Sequence, residues 1–539
     1  MHRIHLERPP LIMSFVFCAC IFASGADYLI KIDASESNGL PVVEIVDDKA
    51  LIVAGEKELE EIVCRGIKNV ILDVNLASKQ YLFVFSTNSA PEGISRYGTV
   101  IDHYNECVLL RTTEEMIPEL NRLKMELSRL TMRPIVRRDI GVYDFENIRI
   151  TRDTLIEQML NEVDPDSIFQ SVLRLQQFYT RYSTNDSNRI VAVNWIKDRF
   201  IEYGCDSVYT QTFSTTYGDN VVGIEIGKQN PSIQTYVLMG AHLDDVPSYG
   251  YAPGADDNAS GVAAVLEAAR VMRNYSFANT VRFAAFNAEE QGLIGSDSLA
   301  SFANSQSDTV IAALCYDMIG HLTGPGMDTM RLRYTSAVPG CSLFACVFYH
   351  AVADTYTQLN IRDVRYTGTT GSSDHASFWR NGYVSTGGIE LILCPGYHTI
   401  GDSIGPTGFN SIDLAALITR TAVAVFATLA VPIDTAVGIN ALSPSEIPSQ
   451  FAIRPNPGCV FTINFAVRAD VEFVDLAVYD CVGRIVDKLA WGQFQKGIHS
   501  FVWDGVTSSG AVSAPGVYFI SLVRDGERQC RKIIFTRNN

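Results

Sequence analysis

The sequence predicts an α/β protein in which a sheet is covered by helices on both faces, preceded by an α+β domain and followed by a small β-sandwich. Three patterns predict it. From about Thr154 to Pro432 strand-like and helix-like stretches alternate; before that, short apolar strands mix with amphipathic helices; after it, short alternating strands are separated by turn signals. At 539 residues the chain exceeds one ordinary domain, and three units each able to bury a core suit that length.

The first 25 residues carry His2, Arg3, His5 and Arg8, then the apolar run Leu11 to Phe22, then Ala23-Ser24-Gly25. This order reads as a secretory signal cleaved before Ala26. A membrane anchor is the alternative, but the apolar run falls short of the ~18 residues a span needs. The expected location is therefore outside the cell, secreted or at the surface. With 60 acidic against 43 basic residues and a net charge of -17, nothing favours nucleic acid or an anionic membrane as partner. The 12 cysteines contain no C-x-x-C spacing, which argues against a thiolate zinc site. Cys341 and Cys346 are the best local candidates for a disulfide, although their spacing also suits a helix.

Residues 26–140 read as an α+β domain with an internal duplication. Tyr28-Leu-Ile-Lys-Ile, Val43-Glu-Ile-Val, Ala50-Leu-Ile-Val-Ala and the helical Glu56 to Cys64 parallel Tyr81-Leu-Phe-Val-Phe, Thr99-Val-Ile-Asp, Val108-Leu-Leu and a helix from Glu114 to Leu127. No catalytic chemistry shows there, so a removable prosegment and a permanent accessory domain are both open readings. Residues 150–432 form the α/β domain. Within it, Leu414 to Val431 is apolar but interrupted by Arg420, which predicts a buried helix closing the domain. Residues 433–450 are an aperiodic Ser/Pro/Ala-rich linker, and 451–539 supply the β-sandwich strands.

The chemistry gathers at strand ends. Val237 to Ala241 leads into His242; Val281 to Phe286 precedes Glu289 and Glu290; Ile311 to Tyr316 leads into Asp317. Carboxyl ends of strands are where an open α/β sheet forms its crevice. Gly254-Ala-Asp-Asp-Asn-Ala-Ser-Gly261 opens a helix, and Gly396-Tyr-His-Thr399 supplies a further histidine. Two divalent ions need one bridging carboxylate and two further ligands each, leaving a shared position for water. His242, Asp257, Glu290, Asp317 and His398 meet that count with the imidazole and carboxylate donors that suit catalytic zinc. Glu289 is left over beside a ligand and is the candidate general base. Asp244 is placed to accept the other imidazole N–H of His242, and Asp402 is expected to do the same for His398. Taken singly, each residue has an ordinary structural reading, as core histidine, helix cap or solvated loop; their joint order favours a metal centre. Met318, Ile319 and Tyr397 neighbour the ligands and are expected to line an apolar side-chain pocket.

These stretches resemble the co-catalytic di-zinc exopeptidases that include bacterial leucyl aminopeptidases, aminopeptidase Y and glutamate carboxypeptidase II. The resemblance covers about Gln170 to Val431. It implies a central mixed, mostly parallel twisted sheet, with His242 and Asp317 on one Zn2+, Glu290 and His398 on the other, Asp257 bridging, Glu289 as base and Asp244 behind His242. It also implies a cis peptide at Asp257-Asn258, and a site-shaping role for Ser373-Asp374-His375. In several relatives a tyrosine just upstream of that triplet stabilises the oxyanion; here the nearest is Tyr366, and Thr370 lies closer. Arg454-Pro455-Asn456-Pro457, Val478-Tyr479-Asp480, Gly483-Arg484, Trp503-Asp504-Gly505 and Pro515-Gly516-Val517-Tyr518 resemble the immunoglobulin-like domain of the flagellar hook-capping protein and bacterial type IX sorting modules. That resemblance implies contact with bacterial secretion or cell-surface machinery, against a plain stabilising or adhesive role.

The expectation is thus a secreted two-zinc aminopeptidase acting on peptide or protein N-termini. A carboxypeptidase, with Arg365 or Arg380 holding the terminal carboxylate, a glutaminyl cyclase, and an inactive surface-binding module are the competing readings.

Overall fold

The computed structural model describes residues 27–85, 93–138, 145, 150–184, 186–229, 232–246, 250–433, 452–454, 461–480, 484–503, 505, 513–524 and 527–536. The chain divides at residue 435 into two compact units. The leader read in residues 1–25, nearly all of the 433–450 linker, and Pro455, Asn456, Pro457, Gly483 and Asp504 lie outside the described residues.

The fold class is the expected one. The large sheet has eight strands: β1 (Ser207–Gln211), β2 (Asn220–Glu225), β3 (Thr235–His242), β4 (Thr280–Phe286), β5 (Thr309–Tyr316), β6 (Thr329–Thr335), β7 (Asn360–Tyr366) and β8 (Ser385–Glu390), in the order β7-β6-β8-β5-β3-β4-β2-β1. The central run β8, β5, β3, β4 is parallel; β6 and β2 enter antiparallel on either side. Strand alternation sends residues to two cores. Val237, Met239 and Ala241 pack with helices Ala259–Met272 and Ile412–Ala430, whereas Tyr236 and Leu238 pack with helix Ile294–Ser305 and Phe378. This is why β3 carries an unbroken apolar run rather than an alternating one. Helix Ile412–Ala430 is long and apolar enough to cross a membrane, yet most of it is buried in this core, and Arg420 donates to the carbonyls of Leu160 and Val163.

The amino-terminal region forms two four-stranded antiparallel sheets with one topology. Tyr28–Asp33, Val42–Val46, Lys49–Ala54 and Asn69–Val74 take the spatial order second-third-first-fourth; Gln80–Phe85, Thr99–His103, Cys107–Thr112 and Glu126–Arg129 take the same order. One expectation is corrected here. The helix expected over Glu114 to Leu127 stops at Asn121, and Lys124 at φ 58 reverses the chain into the fourth strand, which carries Glu126. Leu120, Leu123 and Leu127 mimic a helical period, but pairing with Gln80–Phe85 overrides it.

This region docks directly on the α/β domain. Thr369 N–H donates to the Ile45 carbonyl at 2.9 Å, Val136 N–H to that of Arg380 at 2.9 Å, and Arg129 N–H to that of Gly292 at 3.3 Å. Buried Glu44 lies 3.5 Å from buried Arg380.

The second unit is a five-stranded antiparallel sheet of Ala452–Arg454, Phe461–Asp480, Ile485–Trp503, Gly516–Arg524 and Glu527–Phe535. It has its own core, in which Trp503 packs against Phe461, Tyr518 and Phe535. The disulfide considered for Cys341 and Cys346 is not present. Cys341 is buried against the backbone of Ser385, Cys346 is exposed, and both are free thiols.

Phe283 is fully buried between Phe200 and Phe426, with ring centroids at 6.2 and 5.5 Å. Phe283→Ala leaves a cavity there and is expected to destabilise the catalytic unit by about 3–5 kcal/mol; a urea midpoint equal to that of the wild type contradicts this packing.

Candidate dimetal active site

Three strand ends and two loops build the crevice. His242 ends β3, Asp317 follows β5, and Glu289 and Glu290 follow β4. Asp257 arrives on the loop before helix Ala259–Met272, and His398 on the loop after β8. Asn258 caps that helix through Gly261 N–H and also donates from its amide to the Tyr316 carbonyl at 2.9 Å, which ties the Asp257 loop to the strand bearing Asp317. The Asp257-Asn258 peptide is cis. Gly261 is required here: a Cβ would lie 2.4 Å from Asn258 Oδ1 and 2.5 Å from the Tyr316 carbonyl oxygen.

The Asp257 carboxylate faces both histidines. Its Oδ1 lies 3.4 Å from His242 Nε2 and its Oδ2 lies 3.3 Å from His398 Nε2. His242 Nε2 is also 3.3 Å from Asp317 Oδ1, and His398 Nε2 is 3.1 Å from Glu290 Oε2. Ligand atoms of His242, Asp257 and Glu290 converge within 4.8 Å, as do those of His242, Glu289 and Asp317. Glu289 thus sits on the Asp317 side of the cluster.

Burial and mutual repulsion shape the electrostatics. Burial pushes the Glu289 carboxyl well up, with Glu126, Glu290 and Asp374 adding to the rise against His242. Burial also drives Glu290 up to about 8, and nearby Asp257 contributes. Burial alone would depress His242 and His398, but the surrounding carboxylates outweigh it and hold both imidazoles well above their ordinary value. Glu289 Oε1 and Glu290 Oε1 are buried without a hydrogen-bond partner. Crowded buried carboxyls with orphaned oxygens beside two imidazoles fit one or more divalent cations, and a donor set without thiolate suits Zn2+. His242, Asp257, Asp317, Glu290 and His398 are the residues that would hold it.

The supporting shell differs from expectation in two places. Asp244 lies 3.7 Å from His242 Nδ1, on the expected side. It also accepts the N–H groups of Glu289 at 3.2 Å and Glu290 at 3.3 Å, so it positions the glutamate pair as well. Asp402 does not support His398. Its carboxylate accepts the N–H groups of Asp256 at 2.9 Å and Asp257 at 3.0 Å and so holds the bridging loop. The partner of His398 Nδ1 is instead the Asn121 carbonyl oxygen at 3.1 Å, and the Asn121 amide donates to the Glu290 carbonyl at 2.9 Å. Both bonds come from the amino-terminal region.

The remaining expected residues divide similarly. Ser373, Asp374 and His375 are all buried. Asp374 is among the charges that act on His242, while His375 packs edge-on against Trp379 at 4.6 Å between ring centroids. Met318 and Tyr397 share a small apolar cluster with Ile389 and Cys394. Ile319 does not line a pocket: it is enclosed in the main core, with its N–H donating to Ser260 Oγ. Thr370 donates to the Ile45 carbonyl at 3.1 Å, away from the ligands, and Tyr366 lies between Trp379 and His375. Arg365 is exposed and Arg380 is engaged with Glu44, Ser128 and the Arg129 carbonyl, so neither offers a seat for a terminal carboxylate.

Glu126 was not among the expected residues. It accepts a hydrogen bond from the Tyr397 hydroxyl and faces His398, Asp317 and Asp257; burial in that company raises it to about 7. Its strand was read as helix, and no local signal pairs it with residues 270 positions away.

Residues 220–423 match Peptidase family M28, and residues 456–527 match the FlgD Ig-like domain. The chain is 28% identical over 288 residues to leucine aminopeptidase 1 of Trichophyton equinum, covering 49% of this chain and 74% of that protein. It is 27% identical over 288 residues to leucine aminopeptidase 1 of Coccidioides posadasii strain C735, covering 48% and 71%. The LapA aminopeptidase structure from Legionella pneumophila superposes with a TM-score of 0.53 at 21% identity, over 65% of this chain and 98% of LapA, a likeness of fold.

Asp402→Asn places an amide where two backbone N–H groups now meet a carboxylate. Metal affinity, measured by chelator competition, is expected to fall about 10- to 100-fold; unchanged affinity contradicts the role assigned to Asp402.

Proposed function

We propose that this chain, whose residues 220–423 match peptidase family M28, is a zinc-dependent aminopeptidase that uses two ions per molecule to release N-terminal residues from peptides. Its similarity to leucine aminopeptidases supports a peptide substrate with a free amino end. The observation that carries the two-ion reading is the Asp257 carboxylate, whose two oxygens face two different histidines. Each histidine has its own second carboxylate, Asp317 for His242 and Glu290 for His398.

When bound, the ions supply Lewis acidity toward the scissile carbonyl and a water acidic enough to lose a proton near neutral pH. The chain's own groups do the rest. Glu289, held by its N–H to Asp244, takes the proton from the attacking water through Oε1 and returns it to the leaving amine. Its raised affinity for a proton suits both halves of that task. The amino-terminal region belongs to the working site in this reading, because removing it strips the Nδ1 partner from His398.

Secretion is part of the proposal. The apolar run Leu11 to Phe22 behind basic residues, and a domain matching the FlgD Ig-like model, suit export to the bacterial exterior, with the carboxyl-terminal unit engaging secretion or surface machinery.

Glu289→Gln keeps the side chain's shape and removes the proton acceptor. With zinc loaded, kcat on a peptide with a free N-terminus is expected to fall about 10²- to 10⁴-fold while bound zinc is retained. N-acetylated peptides remain uncut by the wild type. Rates equal to the wild type in the mutant sink the base assignment, and trimming from the carboxyl end sinks the aminopeptidase.

A further inference from the structure

A cavity of about 420 Å³ opens between the amino-terminal region and the edge of the large sheet, and Glu126, which faces His398 and Asp317, is part of its lining. Phe85, Cys107 and Glu126 line it from one side and Arg331, Arg333 and Tyr366 from the other. Arg331 and Arg333 are two apart on β6 and therefore share a face of the sheet. Across the sheet, Arg331 is opposite Ile389 on β8, and β8 neighbours β5, whose end bears Asp317. Two strand spacings, about 10 Å, separate the arginine strand from that metal-ligand strand. A substrate residue held at the ions spans that gap with its side chain or with the next peptide unit.

The cavity is not the apolar pocket that a leucine preference calls for. Arg333 has counter-charges: Asp317 and Glu126 act on it, and it donates to Ser372 Oγ at 3.2 Å. Arg331 is different. Its Nε donates to the Glu390 carbonyl at 2.8 Å, but its Nη2 is buried with no hydrogen-bond partner. Around it stand the like charges Arg333 and Arg362 and the carboxyl of Glu390, whose burial beside Asp256 pushes its proton affinity well up. Glu106, the other acid lining the cavity, is exposed. A buried guanidinium donor left unpaired is costly unless a ligand completes it. Guanidinium geometry matches carboxylate.

We propose that Arg331 is the seat for a substrate carboxylate, either the side chain of an acidic N-terminal residue or the terminal carboxylate of a short peptide. The inference rests on the aminopeptidase reading above and narrows its substrate class. It makes the amino-terminal region a wall of the specificity pocket.

The test uses the full, zinc-loaded chain with Arg331→Met and Arg331→Lys, after circular dichroism and zinc content show both variants folded and loaded. Two ratios of kcat/KM are read: glutamyl over leucyl p-nitroanilide, and Leu-Gly over Leu-Gly-amide. A fall of about tenfold or more in the first ratio for Arg331→Met, smaller for Arg331→Lys, places an acidic side chain on Arg331; the same fall in the second places a terminal carboxylate there. Both ratios unchanged overturn the proposal while leaving the aminopeptidase standing. If no peptide is cleaved, the aminopeptidase reading fails, and titration calorimetry with L-glutamate decides the carboxylate seat alone. Tighter binding to the wild type than to Arg331→Met supports it, and equal or absent binding overturns it.

Discussion

The Asp257 carboxylate, shared between two histidines that arrive from different parts of the chain, is the constraint on which the rest depends. To face both at 3.3–3.4 Å, the loop carrying it is held from three sides. Asp402 takes its N–H groups, Asn258 ties it to β5, and Ser260 and Asp256 bind the loop after Asp317. The small residue at 261 follows from the same closeness. Placing several carboxylates in one buried crevice raises their proton affinities, and bound cations would relieve that crowding.

The amino-terminal region is joined to this centre rather than laid beside it. Its Asn121 carbonyl faces His398, its Glu126 bonds the tyrosine next to that histidine, and its Glu44 lies against Arg380 behind Ser377. Such contacts bury polar groups that must all be satisfied together, so the two parts order each other. The same docking creates the arginine-lined cavity, whose wall on one side is the antiparallel strand pair Gln80–Phe85 and Cys107–Thr112.

Much of this was legible in the residues. Continuous apolar runs ending in His242, Glu289 and Asp317 marked parallel strands buried on both faces, because only such strands lack alternation, and their carboxyl ends carry the ligands. The repeat of the strand pattern in the amino-terminal region was readable for the same reason. Less visible were contacts between segments hundreds of positions apart. Asp402 was matched to His398 by nearness in sequence, yet it serves the Asp257 loop; Ile319 was matched to the site by adjacency, yet its side chain turns into the core.

By itself, then, the sequence determined the class of sheet and singled out the histidines and carboxylates that the fold gathers at the strand ends, because periodicity and donor identity are local properties. The tertiary structure alone decided which group backs each ligand, that Glu126 enters the site, and that Arg331 faces a cavity with an unpaired donor. Those depend on the pairing of Glu126–Arg129 with Gln80–Phe85 and on the docking of two sheets. Such long-range packing overrode the helical period of that segment and left no trace in any short stretch of residues.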